Sequence, residues 1–119
     1  MSFKPTDFLS IAEDLVKDKD YDHAAGYRTI IGRAYYGCFL YARDGLGLQN
    51  WQPTKDKKRG EIHREVITLL KSKDSTRGDF LSKLRWKRNN ADYNLNLIID
   101  KNDAIYAIKL AKKITANPV

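Results

Sequence analysis

Five stretches of the chain repeat apolar residues at the three-and-four spacing of an amphipathic helix. In the first, Phe8, Ile11, Ala12, Leu15 and Val16 form a stripe, with Asp7, Glu13, Asp14 and Asp18 off it. Thr6, just after Pro5, is its expected N-cap. Residues 17–22 form a charged connection, and Asp22 is placed to cap a second helix over about 22–44. That helix carries Tyr27, Ile31, Ala34, Cys38, Phe39 and Ala42. Ile30, Tyr35, Leu40 and Tyr41 widen its apolar face until it nearly encircles the axis. A helix of this kind is touched by neighbours on several sides. Gly26, Gly32 and Gly37 lie inside it. An interior glycine costs about 1 kcal/mol relative to alanine, and close helix approach is the expected compensation. Gly45 and Gly47 end the helix and open a loop through Pro53.

A third helix is predicted over about 61–72 on Ile62, Val66, Leu69 and Leu70, and a fourth over about 76–96, capped by Asp74 or Ser75. A fifth, on Ala104, Ile105, Ile108, Ala111 and Ile114, runs to about residue 116 and opens with Asp100 and Asp103 in a capping-box pattern. Lys109, Lys112 and Lys113 occupy its later turns, where the helix dipole favours cations. No segment alternates like a strand, repeats, or carries a glycine-rich phosphate loop. The expected fold is all-α, a four- to five-helix up-down bundle forming one domain over residues 1–119.

The fourth helix departs from its own pattern. Leu81, Leu84, Ala91 and Leu95 recur at spacings of three, seven and four and mark a buried seam, but Arg88 falls within it. A guanidinium keeps its charge in any protein site, so it needs an acidic partner, a shared interface or a ligand. Asp92, one turn later, is the local candidate.

Charge adds to this picture. The chain of 119 residues is 42% hydrophobic and 31% charged, as expected of a folded domain, with a net charge of +7. Residues 1–50 hold six Lys/Arg and seven Asp/Glu, residues 91–119 hold four and three, and residues 51–90 hold twelve and five. The middle third therefore carries a balance of +7, which points to a polyanionic partner or to a solvated lysine-rich surface. Its basic residues fall in two groups, Lys55, Lys57, Lys58 and Arg59 in the loop, and Lys83, Arg85, Lys87 and Arg88 within six positions of the fourth helix. Trp51 beside the first group either stacks on nucleic acid or pins the loop to the core.

Other chemistry is sparse. Cys38 is the single cysteine and sits in an apolar run, as a buried inert thiol would. His23, His63 and Cys38 supply no recognisable metal-ligand set, so neither metal nor cofactor is expected. His63 lies beside its stripe, where packing or hydrogen bonding is the usual role of a histidine. The longest apolar run, residues 34–42, is far short of the roughly 20 residues of a membrane span, and the N-terminus lacks the apolar core of a signal peptide. A cytoplasmic protein is the expectation.

Two stretches together resemble the HEPN family of small helical-bundle domains. Arg33-Ala34-Tyr35-Tyr36-Gly37-Cys38-Phe39 is similar to the R-A-Y-Y-x-x-F run of the family's second helix. Leu84-Arg85-Trp86-Lys87-Arg88-Asn89-Asn90-Ala91-Asp92-Tyr93 is similar to the L-R-x-x-R-x-x-A-D-Y pattern of one prokaryotic branch. The resemblance covers most of the chain and implies a homodimer whose two motifs face each other. It also implies a toxin–antitoxin or defence setting, often with a nucleotidyltransferase-like antitoxin partner. Many members are metal-independent endoribonucleases, with an Arg-polar start and a histidine four to six residues beyond the arginine. Histidine exchanges protons near neutral pH, and arginine steadies the charge that develops on phosphate.

Arg88 and Asn89 match the start of that motif, while Asp92 and Tyr93 stand where the histidine is expected. A phenol ionises only near pH 10, and an aspartate paired with Arg88 is weakened as a base. Arg88, Asn89, Asp92 and Tyr93 are thus the candidate catalytic residues of a degenerate motif, with His63 a candidate supplied from another helix. The favoured reading is an RNA- or nucleic-acid-binding module. The alternatives are a metal-independent endoribonuclease toxin and a non-catalytic dimerisation or protein-interaction module.

Overall fold

The apolar-ringed second stretch becomes the axis of the fold. The computed structural model describes residues 2–52, 54–55, 57–58 and 60–119. Among them are five α-helices: α1 (Thr6–Lys17), α2 (Ala24–Gly45), α3 (Glu61–Lys73), α4 (Ser75–Tyr93) and α5 (Lys101–Thr115), with a 3-10 turn at Lys19–Tyr21 and no strand. The chain is an all-α bundle, and α2 packs against each of the other four α-helices. Ile30, Ile31, Ala34, Tyr35, Cys38 and Ala42 of α2 are buried. Around them close Leu9 and Ala12 of α1, Val66 and Leu70 of α3, Leu81 and Leu84 of α4, and Ile108, Ala111 and Ile114 of α5. Cys38 donates its thiol hydrogen to the Ala111 carbonyl at 3.6 Å, and burial holds the thiol well above its ordinary pKa.

Two glycines of α2 permit the close approaches that its length demands. A Cβ on Gly26 would lie 2.0 Å from the Tyr21 carbonyl oxygen, and one on Gly37 3.0 Å from that of Pro5 and 3.2 Å from the Leu9 nitrogen. Gly32 is different, for a Cβ there would meet only the Asp92 carboxylate at 3.8 Å, an ordinary contact.

Helix ends depart from the sequence expectations in instructive ways. Pro5 is the N-cap of α1 and makes no side-chain cap bond, while Thr6 lies inside the helix. Asp7 instead accepts from the Lys4 backbone N–H at 3.0 Å. His23, not Asp22, caps α2, its Nδ1 accepting from the Gly26 N–H at 3.2 Å. Asp22 is drawn away by the Tyr27 hydroxyl, which donates to its carboxylate. Asp74 caps α4, accepting from the Arg77 N–H, and the Asp100–Asp103 capping box of α5 is formed. In α3 the buried stripe is Ile62, Val66, Ile67 and Leu70, leaving Leu69 at the surface.

The largest departure is at the end of α4. The helix stops at Tyr93, and Leu95, expected in its seam, is 79% exposed. Arg28 of α2 ends it. One guanidinium nitrogen donates to the carbonyls of Asn90 (3.3 Å), Ala91 (2.8 Å) and Asn94 (3.2 Å), and the other to that of Leu97 at 2.6 Å. The last carbonyls of a helix lack partners within it; here the Asn90 and Asn94 carbonyls accept also from the backbone N–H groups of Asn94 and Leu97, and the guanidinium adds to these bonds and reaches the Ala91 and Leu97 carbonyls. Arg77 plays the same part for α5, donating to the carbonyls of Ile114, Asn117 and Pro118.

Candidate nucleic-acid interface

On α4, residues 83 and 87 lie on one side of the helix and 85 and 88 on another, because successive residues turn by about 100°. The basic run read as one cluster is therefore divided. Lys83 and Lys87 face α5, lining a shallow hollow with Trp86 and Tyr106, and the Lys87 ammonium stands 4.8 Å from the centre of the Tyr106 ring. Arg85 and Arg88 turn to α2 and α3, where both charges act on Tyr35 and His63.

Arg88 lies at the rim of the seam, its side chain 29% exposed, so it escapes the full cost of burying a charge. Its Nε meets Asp92 at 2.9 Å, and its guanidinium lies 5.8 Å from the ring centre of Tyr35 and 5.6 Å from that of Tyr93. Nη1 reaches Asn89 Oδ1 at 3.3 Å. An exposed i,i+4 pair contributes only about 0.3–0.5 kcal/mol. That is too little to account for a cation in this position.

Arg88 and Asp92 share a polar cavity of ≈ 260 Å³ with Arg28, Thr29, Gly32, Arg33 and Tyr36. Arg28 is committed to backbone carbonyls. Arg33 is held by aromatic faces, 5.2 Å from the ring centre of Phe8 and 5.8 Å from that of Tyr36. Among the described residues, neither Arg33 nor Arg85 meets a carboxylate within 4.0 Å. With three arginines and one carboxylate, the cavity carries a surplus of two positive charges.

Behind it lies an aromatic stack in which Tyr35 and Phe39 are buried and His63 is half-buried. The His63 ring lies parallel to Phe39 with centres 4.1 Å apart, and Tyr35 stacks on both. The Tyr35 hydroxyl is 2.6 Å from His63 Nδ1. Burial raises the phenol pKa, so Tyr35 keeps its proton, and a buried O–H needs an acceptor. Nδ1 is that acceptor, which places the ring hydrogen of neutral His63 on Nε2. Desolvation first, and then the charges of Arg85 and Arg88, push the His63 pKa down to about 4. His63 therefore has its acceptor nitrogen occupied and presents a donor.

This depressed pKa has a sign that can be tested. The unfolded chain protonates His63 near pH 6.5 and the folded chain only near 4. Between those values the unfolded state binds more protons, so stability falls as pH is lowered. Relative to a His63→Gln variant, whose amide oxygen still accepts from Tyr35, the native chain should lose about 1–2 kcal/mol between pH 7 and pH 5. Urea unfolding at the two pH values measures this. Equal losses in both proteins would refute it.

Of the other sequence-predicted residues, those of α4 surround Arg88 and those of the loop lie apart. Asn89, Asp92 and Tyr93 are exposed on the last turns of α4, Tyr93 at 72%. Lys55, Lys57 and Lys58 are exposed in the loop before α3, and Lys57 pairs with Glu65 at 3.6 Å. Arg59 lies outside the described residues. Trp51 packs partly against the core and donates from Nε1 to Glu65 at 3.1 Å, so it does pin the loop. Sequence reasoning missed Arg33 and Tyr36 as site residues, although both stand in the aromatic motif of α2. Their i,i+3 spacing on the helix that also carries Arg28 was the available signal.

Fold and site together define a class: an all-α bundle whose central and fourth helices enclose an arginine-lined cleft backed by a Tyr–His pair. The chain belongs to the family of the uncharacterized protein MJ0628 of Methanocaldococcus jannaschii. It is 33% identical to that protein over 134 aligned positions, which span 92% of this chain and 80% of the relative. No family model matches the chain, and no solved structure matches it. No helix among the described residues is long and apolar enough to cross a membrane.

Proposed function

We propose that this chain is a HEPN-like helical module that binds RNA through its phosphates in the α2–α4 cleft. The observation that carries the reading is that Arg33 and Arg88 line one polar cavity while the charges of Arg85 and Arg88 both reach the Tyr35–His63 pair; Arg33 and Arg85 meet no carboxylate within 4.0 Å among the described residues. Phosphate is the anion that a set of planar guanidinium forks fits, by bidentate hydrogen bonding. Binding is favoured over cleavage because each proton-transfer group is compromised. Asp92 is held by Arg88, Tyr93 stands in solvent, and the acceptor nitrogen of His63 is taken by Tyr35.

The setting is a prokaryotic toxin–antitoxin or defence system, a reading supported by the resemblance; the archaeal relative bears only on the prokaryotic source. A homodimer belongs to the same proposal, together with a nucleotidyltransferase-like antitoxin partner. Trp86, Tyr93, Leu95 and Ile98, exposed at 65%, 72%, 79% and 90%, supply apolar surface on α4 and the loop after it for such a contact.

A second reading, a metal-independent endoribonuclease, draws on the electrostatic reach of Arg85 and Arg88 to His63. One experiment separates the two. Labelled single-stranded RNA is incubated with the protein in chelator, followed by anisotropy for binding and by gel for cleavage. Binding of intact RNA that weakens in Arg88→Ala is the expected result. Cleavage lost in both Arg88→Ala and His63→Gln would establish the second reading, and absence of binding at low salt would remove the first.

A further inference from the structure

A second cavity, of ≈ 420 Å³, opens where α2, α3 and the Trp51 loop meet, and Tyr36 lines both it and the arginine cavity. The two therefore adjoin along one face of α2. From Arg33 to Arg43 that face runs about 15 Å at the helical rise per residue. The linings differ in kind. The first is cationic. The second carries the Trp51 and Tyr36 rings, the amides of Gln49 and Gln52, and His63, with Arg43 at its edge. Arg43 is engaged by Asp44, its Nη2 2.9 Å from the carboxylate.

We propose that this second cavity holds an unpaired nucleobase whose phosphate lies on Arg33 and Arg88, which makes a single-stranded ribonucleotide segment the ligand. The inference rests on the RNA-binding reading above and deepens it. A nucleotide has an uncharged flat half and an anionic half, and the two cavities reproduce that division in adjoining positions. The plane of Trp51 is fixed by its hydrogen bond to Glu65, as a stacking surface needs to be. Gln49 and Gln52 are exposed, and each amide offers both donors and an acceptor to a base edge. His63 adds a donor at Nε2, because Nδ1 is spent on Tyr35. The carboxylates that border the cavity are each engaged, Glu65 by Trp51 and Lys57 and Asp44 by Arg43. An aromatic acidic peptide shares the division of charge but makes less use of two amides set for edge recognition.

The chain has two tryptophans, so Trp86→Phe leaves Trp51 as the sole indole reporter. This variant is titrated with a short single-stranded oligoribonucleotide, with a mononucleotide, with inorganic polyphosphate and with an acidic tyrosine-containing peptide. Indole fluorescence and anisotropy are followed together. The expected result is a fluorescence change by the oligoribonucleotide that saturates with binding, and none by polyphosphate. An equal change with the mononucleotide assigns the cavity to a terminal nucleotide, and its restriction to the oligomer assigns it to an internal one; either supports the proposal. A Gln49→Ala/Gln52→Ala variant should bind the oligomer about tenfold more weakly and polyphosphate unchanged. Tight RNA binding with silent Trp51 fluorescence and no effect of the glutamine changes would overturn the base pocket while leaving RNA binding intact. A response to the peptide alone, or no RNA binding at all, would overturn both.

Discussion

Replacing Arg28 by alanine is expected to destabilise the fold by about 2–3 kcal/mol, the cost of losing several hydrogen bonds from a cation to partly buried carbonyls. For a domain of this size that corresponds to a fall in melting temperature of roughly 10 °C. Four carbonyls at the end of α4 lose their shared donor at once, and the positive charge that suits a helix C-terminus goes with it. Arg28→Lys should recover only part of the loss, since an ammonium lacks the planar fork that spans residues 90–97. Calorimetry on the three proteins decides it. Melting of Arg28→Ala within about 2 °C of the native chain would show that water replaces the guanidinium without penalty.

The second large effect concerns binding. Replacing Arg85 and Arg88 together by alanine should weaken affinity for single-stranded RNA by about 100-fold at low salt. Each arginine should account for roughly one phosphate contact. Stability should change little, because the exposed Arg88–Asp92 pair contributes less than about 1 kcal/mol and Asp92 returns to water at small cost. A companion Arg88→Met variant separates charge from packing, for it keeps an apolar stem beside Tyr35 while removing the cation. If Arg88 served only to brace the bundle, Arg88→Met would retain full RNA affinity. Loss of RNA affinity in a variant that melts like the native chain assigns Arg88 to the ligand.

How far these features could be read from the chain depends on how local each one is. The five helices follow from periodicity, and the Asp100–Asp103 box follows from residues three apart. The central place of α2 follows from an apolar face too wide for one neighbour. Arg88 was visible as a cation in an apolar seam, and Asp92 as its partner one turn on. What escaped depends on contacts between distant segments. The end of α4 is set by Arg28, more than sixty positions away in sequence, so Leu95 continues the pattern of the seam yet points to solvent. The division of Lys83 and Lys87 from Arg85 and Arg88 was implicit in the helical turn, but a count of charges along the chain hides it. The proximity of His63 to Arg88 joins α3 to α4 through Tyr35 of α2, and no spacing in the sequence encodes that. Asp22 failed as a cap for a similar reason: the Tyr27 hydroxyl competes for its carboxylate, and the neighbouring imidazole takes the role.

Under the proposed function, one arrangement would serve binding at the expense of acid–base chemistry. Desolvation first, and then the charges of Arg85 and Arg88 that would meet phosphate, keep His63 neutral. A bound phosphate would offset those charges, so His63 should titrate at higher pH in the RNA complex than in the free chain.

The most direct measurement is the affinity of the native chain for single-stranded RNA across a range of salt concentrations. Neutralisation of three phosphates by Arg33, Arg85 and Arg88 gives an expected slope of about −2 in a plot of log affinity against log salt. In the Arg85→Ala/Arg88→Ala variant the slope should shrink to about −0.7. A native slope near zero, or a slope unchanged by the two substitutions, would contradict phosphate binding in the α2–α4 cleft.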